Sequence, residues 1–417
     1  MKLAKLSLAA IAAVSLSTGV FAADSLSSAL TSGKVSGTLQ AYYFNTKKTP
    51  GNSENILDLG LDLSYTTAAF NGFTAGFTFQ GTNSPWAADS TKLGYFSGTM
   101  YGTGAVLSQA YLQYANSGAF IKAGRQYIST PLVAGSGSRI TKESFEGYVA
   151  GYTGLANTVI AGGYVTKMQR RTDGNGNIGD FSENNVVVNQ PVSSVTFNNM
   201  RDAYTIFATN NSVKGLKLTG AYAHAKFDVP GVANNVKANI WYGEAAYTMP
   251  VNSINIGVAG QAYKSSTNLS TDLFDHNLFG LKLSASANGL SGFVAYTKVN
   301  NQSQGGGLIA GIGNGTGLAY TNSFFASHQA LNNDEQAYAI GLGYNFAKVG
   351  VNGLKAKALY NKFNVQGNND KTSYGLGAYY AFAGNLKGLG TSVEYEKINN
   401  DAAADSGKLR VKLNYKF

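Results

Sequence analysis

Apolar and polar residues alternate along this chain with a period of two, segment after segment, to the last residue. In the final segment Leu409, Val411, Leu413, Tyr415 and Phe417 fall on one face. Lys408, Arg410, Lys412, Asn414 and Lys416 fall on the other. Period two is the repeat of a β-strand, whose successive side chains point to opposite faces. Earlier segments carry large apolar residues along one whole face, as in Leu57-Leu59-Leu61-Leu63-Tyr65 and Tyr338-Ile340-Leu342-Tyr344-Phe346. The opposite face of the second row is small: Ala337, Ala339, Gly341, Gly343. A soluble sandwich would bury the apolar face and charge the other one. Here charged residues are only 13% of the chain, against about 25% in ordinary soluble domains. Strands of this kind meet lipid on one side and water on the other.

Such segments can be laid out eighteen times, from 33–44 to 408–417, each about as long as a tilted strand crossing a bilayer. Short connections carry turn chemistry, such as Asn116-Ser117-Gly118 and Ala287-Asn288-Gly289. They alternate with long polar connections at 82–105, 128–143, 167–200 and 301–334. Short turns on one rim and long loops on the other, with Tyr and Phe at the ends of the apolar rows, describe a transmembrane antiparallel β-barrel of about 18 strands. The short turns are then periplasmic, the long loops extracellular, and an even strand count puts both termini on the periplasmic side. Residues 1–22 read as a cleaved signal peptide: a cationic start through Lys5, an apolar run from Leu6 to Leu16, and Val20-Phe21-Ala22 before the cleavage point. That run is too short to span a bilayer as a helix. Residues 23–417 read as one barrel domain, because no linker or composition shift divides them. The implied location is the outer membrane of a Gram-negative bacterium, in contact with its lipid and lipopolysaccharide.

Several function classes fall away. An exported chain with no Cys is not a disulfide-stapled scaffold. The formal charge of +10 becomes +8 when Lys2 and Lys5 leave with the signal, but the basic residues are scattered, with no run longer than the pairs Lys47-Lys48 and Arg170-Arg171, so nucleic acid is not the partner. No His or Cys cluster suits a metal, and no cofactor is implied. An enzyme within a barrel needs a nucleophile and an oriented base. The three histidines, His224, His276 and His328, are not paired with any particular Ser, so no catalytic residues are assigned. An adhesin or phage receptor would use the long loops and leave the inward lysines unexplained. A porin, a water-filled channel for small polar solutes, accounts for the whole pattern.

Residues 108–168 carry a more specific signal. Ser108-Gln109-Ala110-Tyr111-Leu112-Gln113-Tyr114 leads to Ile121-Lys122-Ala123-Gly124-Arg125-Gln126. Thr130-Pro131-Leu132-Val133, Ser138-Arg139, Phe145-Glu146-Gly147 and Ala161-Gly162-Gly163-Tyr164 follow. This block resembles the OprD-type family of substrate-selective outer-membrane porins, in the form found in Campylobacter-like bacteria. The resemblance implies 18 strands, and a third loop, here Tyr127 to Ser144, folded into the pore. It implies a constriction of Arg125, Arg139, Lys142, Glu143 and Glu146, although strict alternation puts Arg125 on the lipid side unless a bulge intervenes or the strand has already left the bilayer there. It further implies a basic ladder along one wall. Inward positions offer Lys408, Arg410, Lys412 and Lys416, extended by Lys34, Lys122, Lys217, Lys282, Lys298, Lys355 and Lys357. Asp58, Asp62, Glu394 and Glu396 are the inward acids, the first two forming a wall opposed to the basic one, the last two placed to pair with Arg410 or Lys412. A net-basic lumen favours anions or carboxylate-bearing solutes over a general, non-selective passage. One barrel suffices for conduction, and related porins also form homotrimers.

Overall fold

The computed structural model describes residues 23–49, 51–87, 90–192, 194–269, 271–303, 305–367 and 369–417. The leader read over 1–22 lies outside the described residues. Eighteen strands form one antiparallel sheet. They are β1 Lys34–Thr49, β2 Ser53–Thr66, β3 Phe73–Asn83, β4 Gly102–Asn116, β5 Ala119–Gln126 and β6 Ser144–Tyr152. Next come β7 Thr158–Gln169, β8 Asn198–Asn210, β9 Leu216–Asp228, β10 Val236–Val251, β11 Ile254–Thr267 and β12 Asn277–Ala287. The last six are β13 Leu290–Val299, β14 Gln336–Asn345, β15 Leu354–Asn364, β16 Lys371–Ala381, β17 Leu389–Asn400 and β18 Asp405–Lys416. Each strand pairs with its neighbours in sequence, and β1 pairs with β18 from Thr38↔Lys416 to Thr49↔Asp405. That seam closes the barrel and leaves no open edge, as a spanning sheet requires.

The alternation in the sequence is the alternation of the wall. Leu59, Leu61 and Leu63 of β2, Leu281 and Leu283 of β12, and Leu413 and Tyr415 of β18 are exposed on the outside. Their neighbours along the strand point inward. Tight turns set the register at the short rim. At Ser117-Gly118 and Asn288-Gly289 both central residues have positive φ, 50° and 87° in the first and 49° and 85° in the second. That backbone matches the twist of a two-residue hairpin, and Gly adopts it without a Cβ clash. The opposite rim is less uniform than the sequence suggests. The loops 84–101, 127–143, 170–197 and 300–335 are long, but β1 and β2 rise as a tall hairpin joined by residues 50–52 alone, and only 401–404 separates β17 from β18.

Among the described residues, two short α-helices lie against the barrel. Helix α1, Leu26–Thr31, is capped by the Ser25 side chain and sits by the short turn after β2, where the Ala68 amide donates to the Ala29 carbonyl at 3.0 Å. Helix α2, Ser90–Phe96, lies in the second loop of the long-loop rim, 84–101, and turns Phe96 onto Phe44 of β1, with 5.7 Å between ring centres. The largest apolar cluster is inside the barrel. It joins inward residues of β7 to β12 to Leu132 and Val133 of the third loop, Val186 of the fourth, and Leu308, Ile309 and Ile312 of the seventh. Burying a Val, Leu or Ile side chain is worth about 1.5–3 kcal/mol, so these loops are held as a second core within the wall.

Candidate pore constriction

The third loop, 127–143, does not stand above the rim but enters the barrel. Its first turn is tied by Thr130, whose Oγ1 donates to the Val133 carbonyl and accepts from the Val133 amide, both at 2.9 Å. The seventh loop lays a short strand beside it: the Ile312 amide donates to the Leu132 carbonyl, and the Ala134 amide to the Ile312 carbonyl, each at 2.9 Å. Val188 of the fourth loop pairs with Ile312 from the other side. Glu143 locks the three together. Its Oε2 accepts from the Ser136 amide at 2.9 Å and the Asn314 amide at 3.2 Å, its Oε1 accepts from the Asn314 side chain, and Arg171 stands 3.7 Å away. Burial lowers the proton affinity of the Arg171 guanidinium, and the Glu143 carboxylate raises it again.

Beyond this lock the loop tip crosses to the seam. Ile140 rests on Gly60 of β2, where a Cβ would stand 2.7 Å from Ile140 Cγ1. Lys142 pairs with Asp62 of the same strand. The Ser138 carbonyl lies 3.4 Å from both the Tyr42 hydroxyl and Lys412 Nζ, which donate to it. The guanidinium carbons of Arg139 and Arg410 lie 5.2 and 5.4 Å from the centre of one ring, Phe44. From the other side comes the tip of the seventh loop. Phe325 stacks on Arg410 at 3.5 Å, and Lys408 Nζ donates to Ser327 Oγ at 2.8 Å. Phe324 packs flat on the wall because Gly375 and Gly377 have no side chain there; a Cβ on Gly375 would fall 2.2 Å from Phe324 Cβ.

Four cations thus converge where the third and seventh loops approach the last strand: Lys408, Arg410, Lys412 and Arg139. Two carboxylates share the place. Glu394 accepts from the Tyr379 hydroxyl at 2.6 Å and lies 3.8 Å from Lys412. Glu396 accepts from the Phe325 amide at 2.8 Å. Arg410 is 3% exposed, and its Nε and Nη2 meet no acceptor among the described residues.

Other residues singled out in the sequence fall in three places. Lys34, Lys217, Lys355, Lys357 and Lys416 face inward toward the short-turn end of the barrel, and Lys282 sits higher, 4.4 Å from the Phe293 ring. Lys122 also points inward but is covered by the third loop, over the Tyr111 ring at 3.6 Å. Lys298 points outward beside Tyr296, so its place in a pore wall is corrected by one residue of strand phase.

Arg125 and Glu146 are not in the constriction. They pair directly across β5 and β6, in the outward row of Ile121↔Ala150 and Ala123↔Tyr148, and are bonded at 3.2 Å. A bulge does occur here, but at Thr166 of β7, and it leaves Arg125 facing out. Glu143 belongs to the buried loop lock rather than to the water-filled space. Asp58 and Asp62 do not oppose the basic column. Tyr42 stands in register with Asp58 on one side and Lys412 on the other, so all three share one wall, and Asp58 is fully buried under the second loop. The residues missed in the sequence are Tyr42, Phe44, Phe324, Phe325, Asn314 and Arg171. Only the first two left a signal, as bulky aromatics at inward positions.

A closed barrel of this strand number, with loops folded inside it, is one half of the comparison; the other is sequence. The family model for outer membrane porins of the OprD family matches residues 104–417. The chain belongs to the OprD family. Solved porin structures agree with the fold. Pseudomonas aeruginosa OpdQ superposes with a TM-score of 0.71 at 18% identity, covering 92% of this chain and 98% of its own. OccK9 (OpdG) of the same organism gives 0.75 at 15%, covering 93% and 99%. OccK3 (OpdO) gives 0.74 at 14%, covering 94% and 97%. No curated protein matches this porin by sequence. Family and structural neighbours are porins, not enzymes, and an OprD-family barrel is an outer-membrane channel of the substrate-specific type.

Proposed function

We propose that this porin passes small polar solutes with a preference for anionic or carboxylate-bearing ones, selected beside the last strand. The observation that carries this reading is Arg410. Its guanidinium is held between Phe44 and Phe325 with two nitrogens unpaired, flanked by Lys408, Lys412 and Arg139. A guanidinium fork fits a carboxylate in bidentate fashion, and rings pack its faces without using its N–H groups. Cations outnumber carboxylates at the constriction, and within low-dielectric walls such an excess concentrates anions. The inward lysines toward the short-turn end repeat that sign below it. Conduction requires one barrel only; a homotrimer would carry three such pores.

The test is the reversal potential of the purified barrel in a planar bilayer under a potassium chloride gradient. The expected potential favours chloride, and Arg410→Glu with Lys412→Glu moves it toward potassium. A stable conductance favouring potassium in the unaltered protein would retain the porin and discard the anion preference. A potential near zero would make it a general, non-selective porin.

A further inference from the structure

We propose that the outer wall over β8 to β11 holds a docking site for the phosphorylated head group of lipopolysaccharide. On the outward face near the long-loop rim, one row runs Asp202↔Lys226↔Lys237 in direct register. The row below it is Tyr204↔His224↔Asn239↔Ser266, and the next is Ile206↔Tyr222↔Trp241↔Lys264. Two lysines directly opposite each other destabilise a sheet. Lys226 is relieved by Asp202 at 2.8 Å, but Lys237 and Lys264 have no ion-pair partner among the described residues. Arg201, beside them, is shared with Asp228 at 2.7 Å. Nothing on the inner face needs this charge, because Ala223, Ala225, Phe227, Val236 and Ala238 there belong to the apolar loop core.

The level of the patch identifies its ligand. Tyr204, Tyr222 and Trp241 form the aromatic girdle that marks a membrane interface. Lys226 and Lys237 stand two to four residues above those rings, about 7–13 Å at the rise of a strand, which is head-group height on the rim facing away from the periplasm. The outer leaflet there is made of lipopolysaccharide, an anionic lipid with phosphates on its sugar backbone. Elsewhere on the outward rim Lys298 and Lys397 are each paired to an acid, Arg125 and Lys167 share Glu146, and Lys47 and Lys362 stand alone on distant strands. Among the described residues, only this sector gathers four.

The experiment uses the full-length barrel refolded in detergent and fluorescent lipopolysaccharide, with folding checked by heat-modifiable migration and unchanged conductance. Each lysine near an anionic lipid surface is worth about a fivefold change in affinity, so Lys226→Gln with Lys237→Gln should weaken binding about thirtyfold. Enzymatically dephosphorylated lipopolysaccharide should bind the unaltered barrel more weakly. Lys47→Gln with Lys362→Gln should change nothing. Equal binding by the first pair and the unaltered barrel overturns the site, as does an equal loss from the second pair, which would reduce the effect to net charge. Full displacement by millimolar inorganic phosphate would mean that the patch takes phosphate rather than the lipid.

Discussion

Arg410 and Lys412 lie two residues apart on one strand, yet their neighbours ask different things of them. Lys412 has a nearby carboxylate, Glu394, and a carbonyl to donate to, so part of its charge is spent on the wall. Arg410 has two rings and unpaired nitrogens. Arg410→Lys keeps the charge but loses the planar fork. Expected is chloride selectivity near that of the unaltered porin, with a several-fold weaker block of current by a small carboxylate, read by single-channel recording. At Glu143 the outcome is structural. Glu143→Gln leaves the buried Arg171 without its counter-charge, which costs about 3–5 kcal/mol. Hydrogen exchange should then speed up a hundredfold or more in 127–143 and 305–317 while the barrel strands keep their protection. Side-chain direction explains what was legible at this scale. Along β18 a strict period of two predicted which residues face inward, and it did so for Glu394 and Glu396 as well. Glu143 defeated the same reasoning because it lies in a loop, where no repeat says whether a carboxylate meets water or two backbone amides.

The strands were readable as elements because each repeats one rule, lipid outside and small or polar inside, for ten residues or so. Their ends were not, since β1 and β2 continue above the bilayer where the apolar row has already stopped. Residues that fold the loops inward announced themselves only indirectly, as glycines on the wall. Gly60 receives Ile140 and Gly375 receives Phe324. Gly375→Val should therefore dislodge the seventh-loop tip rather than the strand, giving a larger, noisier single-channel current from a barrel of unchanged heat stability. Removing 322–327 should raise conductance further while the preference for chloride persists, because Lys408, Arg410 and Lys412 belong to the wall. Loss of selectivity on that deletion would shift the filter from β18 to the seventh loop.

Across the whole molecule, the charge that matters is inside a tube and subject to screening. The Debye length falls from about 10 Å at 0.1 M salt to about 3 Å at 1 M, so the chloride preference should be marked at the lower concentration and nearly gone at the higher. A selectivity that survives 1 M would point to direct contacts in place of a long-range field. The total fold was largely present in the sequence, whereas the pore was not, because the pore is made where distant loops meet. Its position on the wall has a temporal meaning. Phe44 and Tyr42 belong to the first strand, Arg410 and Lys412 to the last, and these four residues face one another only across the seam. A barrel still gaping during assembly possesses neither a sealed conduit nor the filter that would discriminate within it. The two are acquired in one event, when the beginning of the chain meets its end, so a half-built barrel has no working channel to leak through.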